Sequence, residues 1–102
     1  MRNKIINFIG ESIYEGDIVA YTARSRQSIN TRLYVVKNII DKKVYLQGWK
    51  YYSPFSKKVK TYVRRVYYPE RLIRVGPHKI NTKDPLQKQI FNFYVQYVLP
   101  QR

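Results

Sequence analysis

Apolar and polar positions alternate through the first three quarters of the chain, and near residue 84 the period lengthens. Ile18–Arg24 is the first clear run. Val19 and Tyr21 fall on one face and Ile18 and Ala20 on the other, which predicts a strand opened by the turn at Gly16-Asp17. The polar stretch Arg24–Thr31 predicts a loop. Leu33–Ile40, rich in β-branched and aromatic residues, predicts a second strand. Asp41-Lys42-Lys43 is a tight connection, and Val44–Trp49 completes a hairpin. Tyr51–Lys58 contains Ser53-Pro54 and predicts a loop or a distorted edge. Val59–Tyr67 alternates again, with Val59, Thr61 and Val63 on one face and Lys60, Tyr62, Arg64 and Val66 on the other. A short turn at Pro69-Glu70-Arg71, at most one 3-10 turn, leads into Leu72–Val75, ended by Gly76-Pro77. Residues 1–15 fit a short helix through Ile5, Phe8 and Ile9, or an extended lead-in through Ile6, Phe8 and Ile13.

After Gly76-Pro77 the pattern is helical. Asp84 suits an N-cap and Pro85 the first helical position. Leu86, Ile90, Phe93, Tyr94, Tyr97 and Val98 recur at the helical period, and Pro100 ends the segment. One face, centred on Ile90 and Phe93, is expected to pack on the strands. Phe91 and Val95 widen the stripe and leave room for a homodimer contact.

The expected fold is mainly β with a C-terminal helix, in a single domain. Gly16-Asp17-Ile18-Val19-Ala20-Tyr21 at the start and Tyr67-Tyr68-Pro69-Glu70-Arg71-Leu72-Ile73-Arg74-Val75 at the end resemble a small SH3-like barrel of the KOW or Tudor-like type. The resemblance covers about residues 15–76 and implies five strands, with the helix of residues 84–99 packed on them. Such barrels bind nucleic acid or protein tails in transcription, translation and chromatin proteins. Small basic barrels of this sort also resemble early phage proteins that act on the nucleoid or on transcription machinery, which implies a cytoplasmic place in an infected host cell.

Charge sharpens this picture. The formal net charge of +14 lies in the middle of the chain, where residues 18–83 hold sixteen Lys and Arg against Asp41 and Glu70, while the two ends cancel. A concentrated basic block is the electrostatic footprint of a polyanion partner. Its densest part, Gln47–Tyr68, sets seven aromatics among six cations. Cations neutralise phosphates, and aromatic faces stack on bases. In Trp49-Lys50-Tyr51-Tyr52 the aromatics cannot all point inward from a strand, so at least one should be exposed. Arg24, Arg26 and Arg32 flank the polar loop. There they either straddle phosphates or serve as ordinary solvated charge. Lys57, Lys58 and Lys60 offer point charges, and Arg64 and Arg65 continue the basic strand.

Catalytic chemistry finds no foothold. The chain has no cysteine and a single histidine, His78, so no metal site is expected, and no cofactor. Acids are few and flank turns, no serine has a nucleophile signature, and there is no glycine-rich phosphate loop. No apolar run approaches the roughly 18 residues that span a bilayer. The one firm helix carries a single lysine, Lys88, so membrane binding is not expected. These features point to a non-enzymatic nucleic-acid-binding protein, with double-stranded DNA favoured over RNA and little sequence specificity, since no recognition helix is evident. The alternatives are an adaptor for an acidic protein surface of the transcription or nucleoid machinery, and a ribosome- or RNA-binding protein.

Overall fold

Alternation of apolar and polar side chains becomes strand in Ile18–Arg24, Lys43–Tyr51 and Val59–Val66. The structure is a computed structural model that describes the backbone of residues 3–24 and 29–101, and the side chains of these residues other than 23–24 and 29–31. β1 (Lys4–Ile6) and β2 (Ser12–Tyr14) form a small hairpin. β3 (Ile18–Arg24), β4 (Ile29–Ile40), β5 (Lys43–Tyr51), β6 (Val59–Val66) and β7 (Ile73–Arg74) form a five-stranded antiparallel sheet in the order β6-β5-β4-β3-β7. The sheet is open: β6 and β7 are its edges, and no ladder joins them. A 3-10 turn over Pro69–Arg71 precedes β7, as the sequence suggests.

Of Arg24–Thr31, expected as a loop, the described residues 24 and 29–31 are strand. The ladder continues through Thr22↔Thr31, Ala23↔Asn30 and Arg24↔Ile29. Backbone pairing needs no apolar side chain, so a polar stretch hides a hairpin extension that alternation cannot reveal. β4 and β5 are joined by two residues, Asp41 and Lys42, both left-handed at φ 49° and 66°. Positive φ at both central positions is the type I′ geometry that matches strand twist. This turn sets the register of β5, and the bulge at Lys37 shifts it by one residue between Val36↔Leu46 and Asn38↔Tyr45. At the start of β3, Gly16 has φ 91°, a conformation that favours glycine. Of residues 1–15, the described residues 3–15 form a strand–turn–strand hairpin rather than a helix. Asn7 holds the β1–β2 turn: its amide donates to the Leu72 carbonyl at 3.0 Å, and its side-chain oxygen accepts from the Glu11 amide at 2.8 Å.

The sheet separates two apolar layers. On one side Val19, Tyr34, Val36, Val44, Leu46 and Val66 are buried with Ile13 and Leu72 under the β1–β2 hairpin. On the other side Ile18 and Val35 meet α1 (Pro85–Phe93) and its continuation through Ile90, Tyr94 and Val98. Asp84 caps α1 as expected, accepting from the Leu86 amide at 2.9 Å, with Pro85 at the first position. Beyond Phe93 the helix widens into a π turn over Tyr94–Val98 and closes in a 3-10 turn over Leu99–Gln101. The wider turn brings Val98 onto the sheet and carries Tyr97 away to 58% exposure, although the sequence places Tyr97 in the buried stripe. Among the described residues no helix is long and apolar enough to cross a membrane.

Candidate nucleic-acid interface

Period-two alternation and cross-strand register together decide which cations meet. Lys50 pairs with Lys60, Gly48 with Tyr62, Leu46 with Arg64, and Tyr21 with Arg32. Leu46 and Tyr21 are buried on the side away from α1, so the side chains in register with them share that side. The β1–β2 hairpin covers only part of this face. Toward the β5–β6 connection Arg32 and Lys50 are exposed, while Lys60, Tyr62 and Arg64 are half-buried.

Tyrosines form the floor. Tyr34 is buried, and its ring meets that of Tyr62 edge to face, at 6.1 Å between centroids and 87° between planes. Gly48 makes this possible. A Cβ there would sit 2.7 Å from the Tyr62 ring and 2.8 Å from the Tyr34 ring, so any side chain would displace both. The Tyr62 hydroxyl donates to the Tyr34 hydroxyl at 3.3 Å, and an Arg64 Nη donates to the same oxygen at 3.4 Å. Burial pushes the Tyr34 hydroxyl above its usual pKa, the bond with Tyr62 adds to this, and Arg64 works against it.

The cations rest on aromatic rings. Lys50 Nζ lies 5.0 Å from the Tyr62 ring centroid, Lys60 Nζ 5.4 Å from that of Tyr52, and the Arg64 guanidinium 5.1 Å from that of Tyr21. Cation–π contacts at such distances favour a fixed position for the charge without neutralising it. Asp84, at the start of α1, lines one hollow with Arg32, Lys50 and Tyr62 and puts an acid at the margin of this half-face. Glu15, Asp17 and Asp41 lie toward the other end of the sheet, where Asp17 sits 3.8 Å from Arg74 Nε.

The other expected contact residues divide. Tyr51 and Tyr52, 38% and 61% exposed, lie at the end of β5, and Lys57 and Lys58 are exposed in the connection that follows. Trp49 and Arg65 alternate to the opposite face. Trp49 packs edge-on against Phe93 of α1 at 5.5 Å, and Arg65 stacks over Tyr67 at 5.6 Å. Trp49 is thus part of the contact between helix and sheet. The Arg24 backbone closes β3, and its side chain, like the whole of Arg26, lies outside the described residues. The sequence reading missed Tyr21, Tyr34, Gly48 and Tyr62. Alternation already set Tyr62 between Lys60 and Arg64 on one face. Only the register imposed by the Asp41-Lys42 turn shows that Lys50 and Gly48 join them.

The half-face can hold a polyanion and stack planar groups. Among the described residues no cluster of three or more His, Asp or Glu could hold a metal ion. A hollow of about 650 Å³ lies elsewhere, between Gly16, Lys37 and Tyr97, and shares no residue with the cationic surface. No protein-family model, no curated protein and no solved structure matches this chain.

Proposed function

We propose that this protein is a non-enzymatic nucleic-acid-binding protein that takes double-stranded DNA, with little sequence preference, on the open half of the sheet. The observation that carries the reading is the grouping of Arg32, Lys50, Lys60 and Arg64 on one half-face over tyrosine rings. Held cations make phosphate contacts at small entropic cost, and phosphate contacts position a protein without reading sequence. Arg64 is committed to Tyr34 and Tyr21, and Lys50 and Lys60 are point charges, which leaves Arg32 as the one exposed arginine of the four and favours phosphate contact over base-edge reading. Curling of the sheet toward a small SH3-like barrel belongs to the same reading. Three features support it: a last strand returning beside the first, the 3-10 turn before it, and the bulge at Lys37 that increases local twist.

Gel shifts with duplex DNA over a salt series test the reading. The logarithm of affinity should fall linearly with that of salt, with a slope of about −0.9 per phosphate contacted, and Lys50→Ala or Lys60→Ala should each reduce the slope by about one. A flat salt dependence, or slopes unmoved by both variants, overturns it.

A further inference from the structure

The β5–β6 connection carries a residue that the half-face does not use. Among the described residues Phe55 is 98% exposed, whereas the next most exposed large hydrophobic residue, Tyr67, is at 75%. Three hydrogen bonds hold the connection in shape. The Tyr52 amide donates to the Lys58 carbonyl at 3.0 Å and closes the loop. The Ser56 amide donates to the Ser53 carbonyl at 3.1 Å, making a turn with Pro54 and Phe55 at its centre. The Lys58 amide donates to the Ser56 hydroxyl at 3.1 Å. A hydrogen-bonded turn thus presents a phenyl ring to water, at an unfavourable cost of apolar hydration.

We propose, building on the DNA reading above, that Phe55 is a wedge that enters the minor groove and inserts between base pairs, kinking the duplex. Position supports this. Lys50 and Lys60 form a rung near the base of the loop, Lys57 and Lys58 are exposed within it, and no acid occurs between Asp41 and Glu70. The wedge therefore leaves the sheet where the cationic half-face ends, flanked by charges that anchor phosphates on either side of a base step. Ring exposure also supports it. Insertion needs both faces of a ring. A lysine already lies over Tyr62 and over Tyr52, while the Phe55 ring is open on both sides. Apolar wedges of this kind partly unstack a step and bend DNA toward the major groove, most easily at flexible pyrimidine–purine steps.

A duplex of about 30 base pairs with a donor and an acceptor dye at its ends reads the bend. Wild type should raise energy transfer, more so with a central TA step than with an A-tract. Phe55→Ala should keep the salt slope and melting temperature, abolish the rise and bind about tenfold more weakly. Phe55→Leu, still a wedge, should restore part of the bend. Wild type that binds duplex without bending it, or Phe55→Ala that bends it equally, overturns the wedge and leaves the half-face reading standing. Absence of any duplex binding overturns both. A larger loss for Phe55→Ala on single strands than on duplex also overturns the wedge, in favour of simple base stacking.

Discussion

Both faces of the five-stranded sheet carry aromatic side chains, and they use them in opposite ways. On the helix side, half-buried Trp49 and Phe93 pack edge-on against each other beside the buried Ile18, Val35 and Ile90. On the far side, buried Tyr21 and Tyr34 and half-buried Tyr62 carry hydroxyls and support Lys50 and Arg64, and Lys50 at the rim is exposed. Tyrosine offers an apolar body and a polar tip, so it can floor a half-open face without demanding a cover. The covered parts of both faces should therefore determine stability, and the open tyrosine half should determine binding.

The sharpest way to break that division is Ile90→Ala. Ile90 is 3% exposed in the contact between helix and sheet, and truncating a buried isoleucine costs about 2–5 kcal/mol. Lys50→Ala on the other face should change stability by no more than about 0.5 kcal/mol, because it removes an exposed charge. Urea unfolding of both variants checks this. Equal costs would mean that α1 contributes no more to the core than a surface lysine does.

Gly48→Ala probes the tyrosine floor itself. The new methyl would overlap the rings of Tyr34 and Tyr62, and overpacking of this size costs about 1–3 kcal/mol. Tyr62 is half-buried at the margin and can swing outward, which favours the lower end of that range. Because Lys50 rests on Tyr62, the same variant should weaken DNA binding more than its loss of stability explains. A stable variant with unaltered binding would show that the ring pair is not needed to seat the cation.

Much of this division is legible in the chain, and the gaps have physical causes. Ile18–Arg24 alternates cleanly and is β3 residue for residue, and Asp84-Pro85 announces the start of α1. The β3–β4 extension escapes notice because Thr and Asn in a ladder look like loop residues. The N-terminal hairpin escapes because strands of three residues are too short to show a period, and Asn7 holds them through contacts to Glu11 and Leu72. The density of cations and aromatics in Gln47–Tyr68 marks the right region. It misassigns Trp49, because density ignores the face on which a strand residue stands. Only pairing register, set by a two-residue turn without glycine, separates Trp49 from Lys50. The near-complete exposure of Phe55 depends on how Ser53–Lys58 folds on itself, which composition does not encode.

The smallest expected effect concerns pH and again separates the faces. Burial and the Tyr62 bond raise the Tyr34 pKa above its ordinary 10.0, with Arg64 partly offsetting them. In the unfolded chain Tyr34 titrates near that ordinary value, so above pH 10 the unfolded state loses this proton before the folded state does. The folded protein then binds more protons than the unfolded one, and stability falls as pH rises from about 10 through the folded-state pKa. Below that window the preference for the neutral hydroxyl is fully present and stability is insensitive to it. Thermal melts of wild type and Tyr34→Phe from pH 8.5 to 11.5 isolate this contribution, because the other tyrosines and the lysines titrate in both proteins. The difference should be flat at the acidic end and shift in favour of the phenylalanine variant above pH 10. Arg64→Gln, which removes the cation that lowers the Tyr34 pKa, should steepen the alkaline loss. A wild-type profile parallel to that of Tyr34→Phe throughout would mean that the buried hydroxyl titrates alike in both states. The tyrosine face would then be as open at its floor as at its rim.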